Sequence, residues 1–302
     1  MKLSLCIPSY RRPERLSRLL LSLTRQRRLP DEVVIVDNDA EGSARAAVEA
    51  FAGAPFALRY DIQPVQNISL ARNRSIELAS GDWLGFIDDD EYAPPEWLER
   101  LVQAAQAHEA DGVLGPVLPE VPAEAPDWIR RGDFYSWTRL PTGSVVPRNR
   151  LRFGNLILRA ALVRGPQPPF DPHYGLTGGE DGALLSRLAQ QGARLIWCDE
   201  AVVHEPVVPA RLSLRWLLLR ALRGGQDFAR HSLAGRYGPL RFGRAGFFAR
   251  AALQMLAAGA LALLSWPLGR HRAAYWLLKA AANLGKLSMF WGWHYREYAS
   301  AT

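Results

Sequence analysis

Short apolar runs alternate with amphipathic helical stripes from Leu3 to Cys198, and this alternation restricts the fold more than any other feature of the chain. Leu3–Pro8 reads as a buried strand. Pro13 to Gln26 follows with Leu16, Leu19, Leu20 and Leu23 on one face, arginines opposite and Pro13 near the start, which predicts a helix. Glu32–Asp37 and Ala57–Ile62 read as further strands, with a small helix over Ser43–Phe51 between them. Ser69–Ser80 is helical and stops at Gly81. Trp83–Asp88 is a fourth strand, Pro95–His108 a helix, and Gly112–Leu118 and Phe153–Leu158 are strands. A helix opens at Gly178-Gly179-Glu180-Asp181 and runs to about Gln191, before a strand at Arg194–Cys198. This alternation of strands and helices predicts an α/β fold: a mostly parallel, Rossmann-like central sheet with flanking helices on both faces. Residues 119–152 carry five prolines with Trp128 and Trp137 and read as a long loop.

In such sheets ligands bind beyond the carboxyl ends of the strands. Those ends carry Pro8-Ser9-Tyr10, Asp37-Asn38-Asp39 and Asp88-Asp89-Asp90-Glu91. Packed acids repel unless a positive charge sits among them. A hard divalent cation, Mg²⁺ or Mn²⁺, held by one or two carboxylates and substrate phosphates is one answer; a solvated acidic turn before Pro94-Pro95 is the other. Asp37-Asn38-Asp39 fits either a turn capping the next helix or a contact to a nucleobase edge or ribose hydroxyl. Asn67 to Asn73 opens a helix and includes Arg72, which suits phosphate, or simple capping by Asn67 or Ser69 beside a surface arginine. Glu180 and Asp181 in a first helical turn suit the macrodipole, and equally a general base. His204, just after the last expected strand, reads as a metal or phosphate contact or as a satisfied surface histidine.

The chain of 302 residues has a net charge of +7, unevenly spread. Residues 1–209 carry a net −5, and residues 210–302 a net +12 with only Asp227 and Glu297 acidic. The basic segment is rich in Trp and Leu, which argues against a nucleic-acid surface. Ala251–Leu268 has no charge over 18 residues, about 27 Å as a helix and just short of a bilayer core. Gln254, Gly259 and Ser265 interrupt its hydrophobicity. Ala273–Phe290 sets Lys279 and Lys286 opposite Trp276, Leu277, Leu284 and Leu287, and Trp291, Trp293, Tyr295 and Tyr298 follow. These features suit helices at a membrane interface; a true span, a cover for the soluble domain or a dimer contact are the alternatives. Cys6 and Cys198 lie in strand-like runs, so no disulfide framework is expected and a reducing cytosol fits.

Together the motifs resemble the family 2 glycosyltransferases of the GT-A fold. The matching residues are Ile7 to Arg12, Val36 to Asp39, Ser69 to Asn73, Phe86 to Glu91 and Gly179-Glu180-Asp181. The runs GDWLGFIDDDEYAPPEWLERL and TGGEDGALLSRL are similar to bacterial exopolysaccharide glucosyltransferases of the succinoglycan type. The resemblance covers about residues 1–225 and implies a GT-A domain over 1–209, before the basic, apolar 210–302. It implies inverting transfer from a nucleotide-diphosphate sugar, a UDP-hexose, to a glycan or lipid-linked acceptor; the basic, apolar last third puts that reaction at the cytoplasmic face of the inner membrane, and a dimer contact there would make a homo-oligomer. Asp181 matches the catalytic base, in a pair with Glu180. Asp90, with His204, matches the metal position, and Asp88 and Asp89 belong to the same acidic motif, Asp88 towards the ribose. Tyr10, Asp37 and Asp39 fall near the base and Arg72 near the diphosphate, with Pro8, Asn38 and Glu180 as further substrate-binding residues. Many members have two consecutive acids where this chain has Asp37-Asn38, which puts the choice of base in question. A sugar-nucleotide nucleotidyltransferase would want a glycine-rich loop that Ile7 to Arg12 lacks. An aspartyl phosphatase would want acids where Pro8-Ser9-Tyr10 stand. A non-catalytic nucleotide-sugar scaffold at the membrane would have no need of Asp90 and Asp181.

Overall fold

The computed structural model describes residues 1–175, 177–293 and 295; Tyr298, read above as an interface residue, lies outside them. The first elements are β1 (Leu3–Ser9), α1 (Pro13–Leu23), β2 (Glu32–Asp37), α2 (Arg45–Glu49), β3 (Ala57–Ile62), α3 (Ile68–Leu78), β4 (Trp83–Ile87), α4 (Trp97–Ala107) and β5 (Gly112–Leu114). There follow β6 (Val117–Glu120), α5 (Asp127–Arg130), β7 (Asn155–Arg159), α6 (Glu180–Gln190), β8 (Leu195–Trp197), β9 (Val203–Pro206), α7 (Leu214–Leu233), α8 (Gly243–Ser265) and α9 (Arg270–Ser288).

Seven strands form one sheet in the order β3-β2-β1-β4-β7-β5-β8. Every pairing is parallel except those of β7, which runs against β4 and β5. Successive side chains of a strand face opposite sides, and the core divides accordingly. Leu3, Leu5 and Ile7 pack with α1 and α4, while Cys6, Val34 and Leu84 pack with α3 and α6.

The chain order reverses between β1 and β4, and there the sheet opens. The β1–β2 ladder continues to Ser9↔Asp37, whereas the β1–β4 ladder stops at Cys6↔Phe86. The Ser9 carbonyl accepts the Asn38 N–H on the β2 side, so Pro8, its neighbour, faces β4. Proline has no N–H to offer a ladder, and the ladder has already ended at that point.

Three expectations change. The apolar run from Gly112 to Leu118 is two strands, because the chain leaves the sheet at Gly115-Pro116 and β6 pairs with β9 in a separate ribbon. His204 does not follow the last strand but lies within β9. Residues 119–152 also hold α5 and a single 3₁₀ turn, Arg148–Arg150.

The chain divides into two compact units. Among the described residues, the first comprises Met1–Leu118 and Trp137–Glu205, and the second Pro119–Ser136, 206–293 and Tyr295. In the second unit α9 packs against both α7 and α8, which have no comparable packing on each other.

Candidate active site

The residues at the mouth of the opening between β1 and β4 are mostly acids held by arginines. Asp89 and Asp90 are buried and turn towards the end of β1. Ser9 donates its hydroxyl to Asp89 Oδ2 at 2.8 Å, and the Tyr10 N–H donates to the same oxygen at 3.4 Å. Arg12 Nη1 reaches Asp89 Oδ1 at 3.1 Å and Asp90 Oδ2 at 3.0 Å, and Arg15 Nη1 lies 3.4 Å from Asp90 Oδ2. Burial pushes the Asp89 carboxyl above its usual range against the pull of Arg12.

Asp88 takes a different direction. Its side chain is 43% exposed, yet the surrounding protein still desolvates it and raises its pKa to about 6, with Arg72 opposing and Asp90, Asp89 and Glu205 adding. Glu91 is buried, accepts the Asp88 N–H through Oε2 at 3.2 Å, and is held well above the carboxylate range by burial and by Asp88, Asp90 and Glu205. Gly154, at φ +101°, closes over this group; a Cβ there would stand 3.1 Å from Glu91 Oε1 and 3.3 Å from Asp88 Oδ2. The site thus concentrates carboxylate oxygens, which are hard donors suited to Mg²⁺ or Mn²⁺. Among the described residues no three His, Cys, Asp or Glu side chains converge on one point. The acids therefore fit a cation shared with substrate phosphates, not a cage made by protein alone.

Arg72 lies on the other wall. Asn67 caps α3 by accepting the Leu70 N–H at 3.1 Å, but Arg72 is no surface residue, being only 6% exposed. Its guanidinium lies 4.8 Å from the Phe153 ring centre and 5.7 Å from that of Phe170. Nη1 meets Glu180 Oε1 at 2.5 Å, and Nη2 lies 3.6 Å from Asp88 Oδ1. Asn73 fixes the loop before α6 by exchanging two hydrogen bonds with the Phe170 backbone, at 2.8 and 3.0 Å. Gly178 and Gly179, at φ +75° and +93°, then turn the chain into α6, a conformation glycine adopts without steric cost. Glu180 is buried, and Asp181 is half-buried with Oδ1 accepting the Gly182 N–H at 2.7 Å. One guanidinium therefore joins the acid at the end of β4 to the first turn of α6. Replacing Arg72 by Met is expected to cost about 3 kcal/mol of stability, because it leaves the buried Glu180 charge without this guanidinium. Urea denaturation checks this, and adding Glu180→Leu is expected to restore much of the loss; a strictly additive double variant would contradict it.

Asp37 and Asn38 hold the floor of the opening through bonds inside the protein. Asp37 accepts the N–H groups of Asp39 and Ala44 and the Tyr60 hydroxyl, at 3.1, 2.7 and 3.0 Å. Asn38 donates to the carbonyls of Gln63 and Val65 at 2.8 and 2.6 Å and accepts the Asn67 N–H at 2.8 Å. Asp37 thus ties down the turn that leads into α2, whereas Asn38 bridges to the segment before α3 instead of capping a helix. Asp39 pairs with Arg11 at 3.2 Å; burial opposes its ionisation, but Arg11 and the Glu41 N–H hold it below the usual range. His204 stacks on Tyr92, with ring centres 5.1 Å apart, and the two exchange backbone hydrogen bonds of 3.0 and 2.9 Å.

The sequence reading did not single out Arg12, Arg15 or Glu205. Its one available signal was electrostatic: a run of four acids requires nearby cations, and Arg12 and Arg15 follow the adjoining strand three residues apart.

The family model described as Glycosyl transferase family 2 matches residues 4–157. Succinoglycan biosynthesis protein ExoM of Rhizobium meliloti is 40% identical over 230 residues, covering 74% of this chain and 72% of that protein. Among solved structures, the mannosyltransferase PcManGT from Pyrobaculum calidifontis, in complex with GDP-Man and Mn²⁺, superposes with a TM-score of 0.66 at 19% identity, over 96% of this chain and 87% of that one. TarS 1–349 of S. aureus, in complex with UDP-GlcNAc, gives 0.52 at 20% identity, over 98% and 93%. At these identities the two structures share the fold.

Proposed function

The chain belongs to glycosyl transferase family 2 and has the GT-A fold, and from that premise we propose that it transfers a hexose, with inversion, from a UDP-sugar to a hydroxyl of a glycan or lipid-linked oligosaccharide in surface polysaccharide assembly. The observation that carries this reading is the placement of Arg72, between Asp88 at the end of β4 and Glu180 beside Asp181. One guanidinium thus joins the donor-side acid Asp88 to Glu180, the sequence neighbour of the base in this reading.

Asp181 takes the proton of the acceptor hydroxyl as that oxygen attacks the anomeric carbon from the face opposite the diphosphate. One base and no covalent intermediate give inversion. Arg72 meets the diphosphate. Arg12 and Arg15 orient Asp90, and Asp88 and Asp89 complete the donor side. Tyr10 and Asp39 approach the base past Pro8, over the floor that Asp37 and Asn38 hold. Asn38, bonded to Gln63, Val65 and Asn67, shapes the base site from beneath. Asp90 would hold Mg²⁺ or Mn²⁺ together with the donor phosphates, with His204 at the edge. That ion, when bound, supplies Lewis-acid stabilisation of the leaving diphosphate.

The relative ExoM is named for succinoglycan biosynthesis, which supports a polysaccharide acceptor. Residues 1–209 carry the chemistry in this reading, and residues 210–302 hold the enzyme at the cytoplasmic face of the inner membrane. Assay of UDP-, GDP- and dTDP-sugars with Mn²⁺ or Mg²⁺ tests it. The expected result is turnover of a UDP-hexose, with an inverted product by proton NMR; a retained anomer, or turnover of no donor, would overturn it. Asp90→Ala is expected to abolish the metal dependence of UDP binding in calorimetry while leaving the thermal unfolding midpoint within a few degrees of the parent; an unchanged metal dependence would remove Asp90 from that role.

A further inference from the structure

The sequence leaves open whether the apolar segment after Arg250 spans a membrane, lies on one or covers protein. Its surroundings in the second unit narrow the choice. Gly243–Leu268 is long and apolar enough to cross a bilayer, yet little of it is buried. The side of α8 that packs inward is a stripe of small residues: Ala251, Ala258, Ala262 and Ser265. The opposite side carries Leu253, Leu256, Leu263 and Leu264, exposed by 70, 68, 77 and 72%. On a helix of 3.6 residues per turn these leucines fall on one face. The polarity of a water-facing helix is thus reversed, with small residues inside and large apolar ones outside. That pattern suits lipid, where small residues let helices pack and leucines face the acyl chains.

Charge decides how the helix lies. Arg241, Arg244 and Arg250 stand at one end of the leucine face, and Arg270 and Arg272 at the other. α9 packs alongside α8 and brings Lys279 and Lys286 with it. A spanning α8 would draw α9 and these cations into the hydrocarbon, where they are costly. A helix lying flat keeps them all at headgroup level, where an anionic surface attracts them. Trp266 and Trp291, exposed at the turns after α8 and α9, favour that same depth. Pairing α8 with its copy in a second chain would instead bring together two segments of net charge +12.

We propose that α8 lies in the plane of an anionic bilayer, with Leu253, Leu256, Leu263 and Leu264 in one leaflet. The inference rests on the membrane reading above and adds the element and its orientation. The test is flotation of the full chain with phosphatidylcholine–phosphatidylglycerol vesicles and with phosphatidylcholine alone. The parent chain is expected to float with the mixed vesicles, and Leu256→Asp with Leu263→Asp to reduce the floated fraction at least roughly tenfold at an unchanged unfolding midpoint, since both leucines face outward. A parent chain that stays at the bottom would overturn both readings. Equal flotation of parent and variant would overturn only this one, as would a variant that turns a dimer into a monomer in solution. Orientation is read from Leu253→Cys and Leu264→Cys, each carrying an environment-sensitive dye, with Cys6 and Cys198 buried. The two positions are about 16 Å apart along the helix. Equal quenching of both dyes by lipids brominated at one shallow depth is expected; a gradient of depth between them would show a span.

Discussion

Asp181→Asn is expected to lower the rate of sugar transfer roughly 10³-fold while UDP-sugar affinity in calorimetry changes by less than about twofold. Asparagine keeps the size of the side chain and an oxygen that can accept the Gly182 N–H, the contact Asp181 makes at 2.7 Å. It cannot take a proton from an acceptor hydroxyl. Asp181 is half-buried at the start of α6, so the variant is expected to fold as the parent does. Glu180 provides the contrast. It is buried and ion-paired to Arg72, so Glu180→Gln disturbs the guanidinium that meets the diphosphate. Its effect is expected in the KM for the donor, roughly tenfold, given what a hydrogen bond to a charged group is worth. Neighbouring residues on one helical turn therefore separate into a kcat effect and a KM effect. A parallel loss of donor affinity in Asp181→Asn would remove Asp181 as the base.

The parts of the fold that could be read from sequence are those fixed by local pattern. Glu32–Asp37, an apolar run between two acids, and Ala57–Ile62, placed by the alternation of elements, form the strands read from sequence, and the Gly178-Gly179 turn opens α6 where expected. The failures have a common cause in contacts distant along the chain. Gly112–Leu118 is continuously apolar, and nothing local shows that the chain leaves the sheet at Gly115-Pro116 to meet β9. The segment Val203–Pro206 is short and ends in proline, so its strand appears only through pairing with β6. In the site, the acids were legible as a cluster, but their holders were not. Arg12 is 77 residues from Asp89 and reaches it only because β1 and β4 are neighbours. Whether Asp37 faces a ligand or the protein was equally undecidable, because Tyr60, on the adjoining strand, donates to the same carboxylate.

Gly285→Leu is expected to remove more than about 4 kcal/mol from the stability of the helical unit, the range reached when a core is forced apart. Helical glycines cost about 1 kcal/mol each relative to alanine, and α7 and α9 contain two that face each other. A Cβ on Gly225 would collide with the Ala282 carbonyl, and a Cβ on Gly285 with that of Leu222. The contact is reciprocal and made by backbone atoms, so neither side can yield by changing a rotamer. The two helices would have to separate, and α9, which also supports α8, would move from its place in the unit. Gly224 supplies the control, since a Cβ there meets nothing within 4 Å. Gly224→Ala is expected to stabilise α7 by up to about 1 kcal/mol. Urea denaturation followed by tryptophan fluorescence reports on the unit through Trp216, Trp266 and Trp276. If Gly285→Leu and Gly224→Ala shift the midpoint by similar small amounts, the close crossing of α7 and α9 does not hold this unit together.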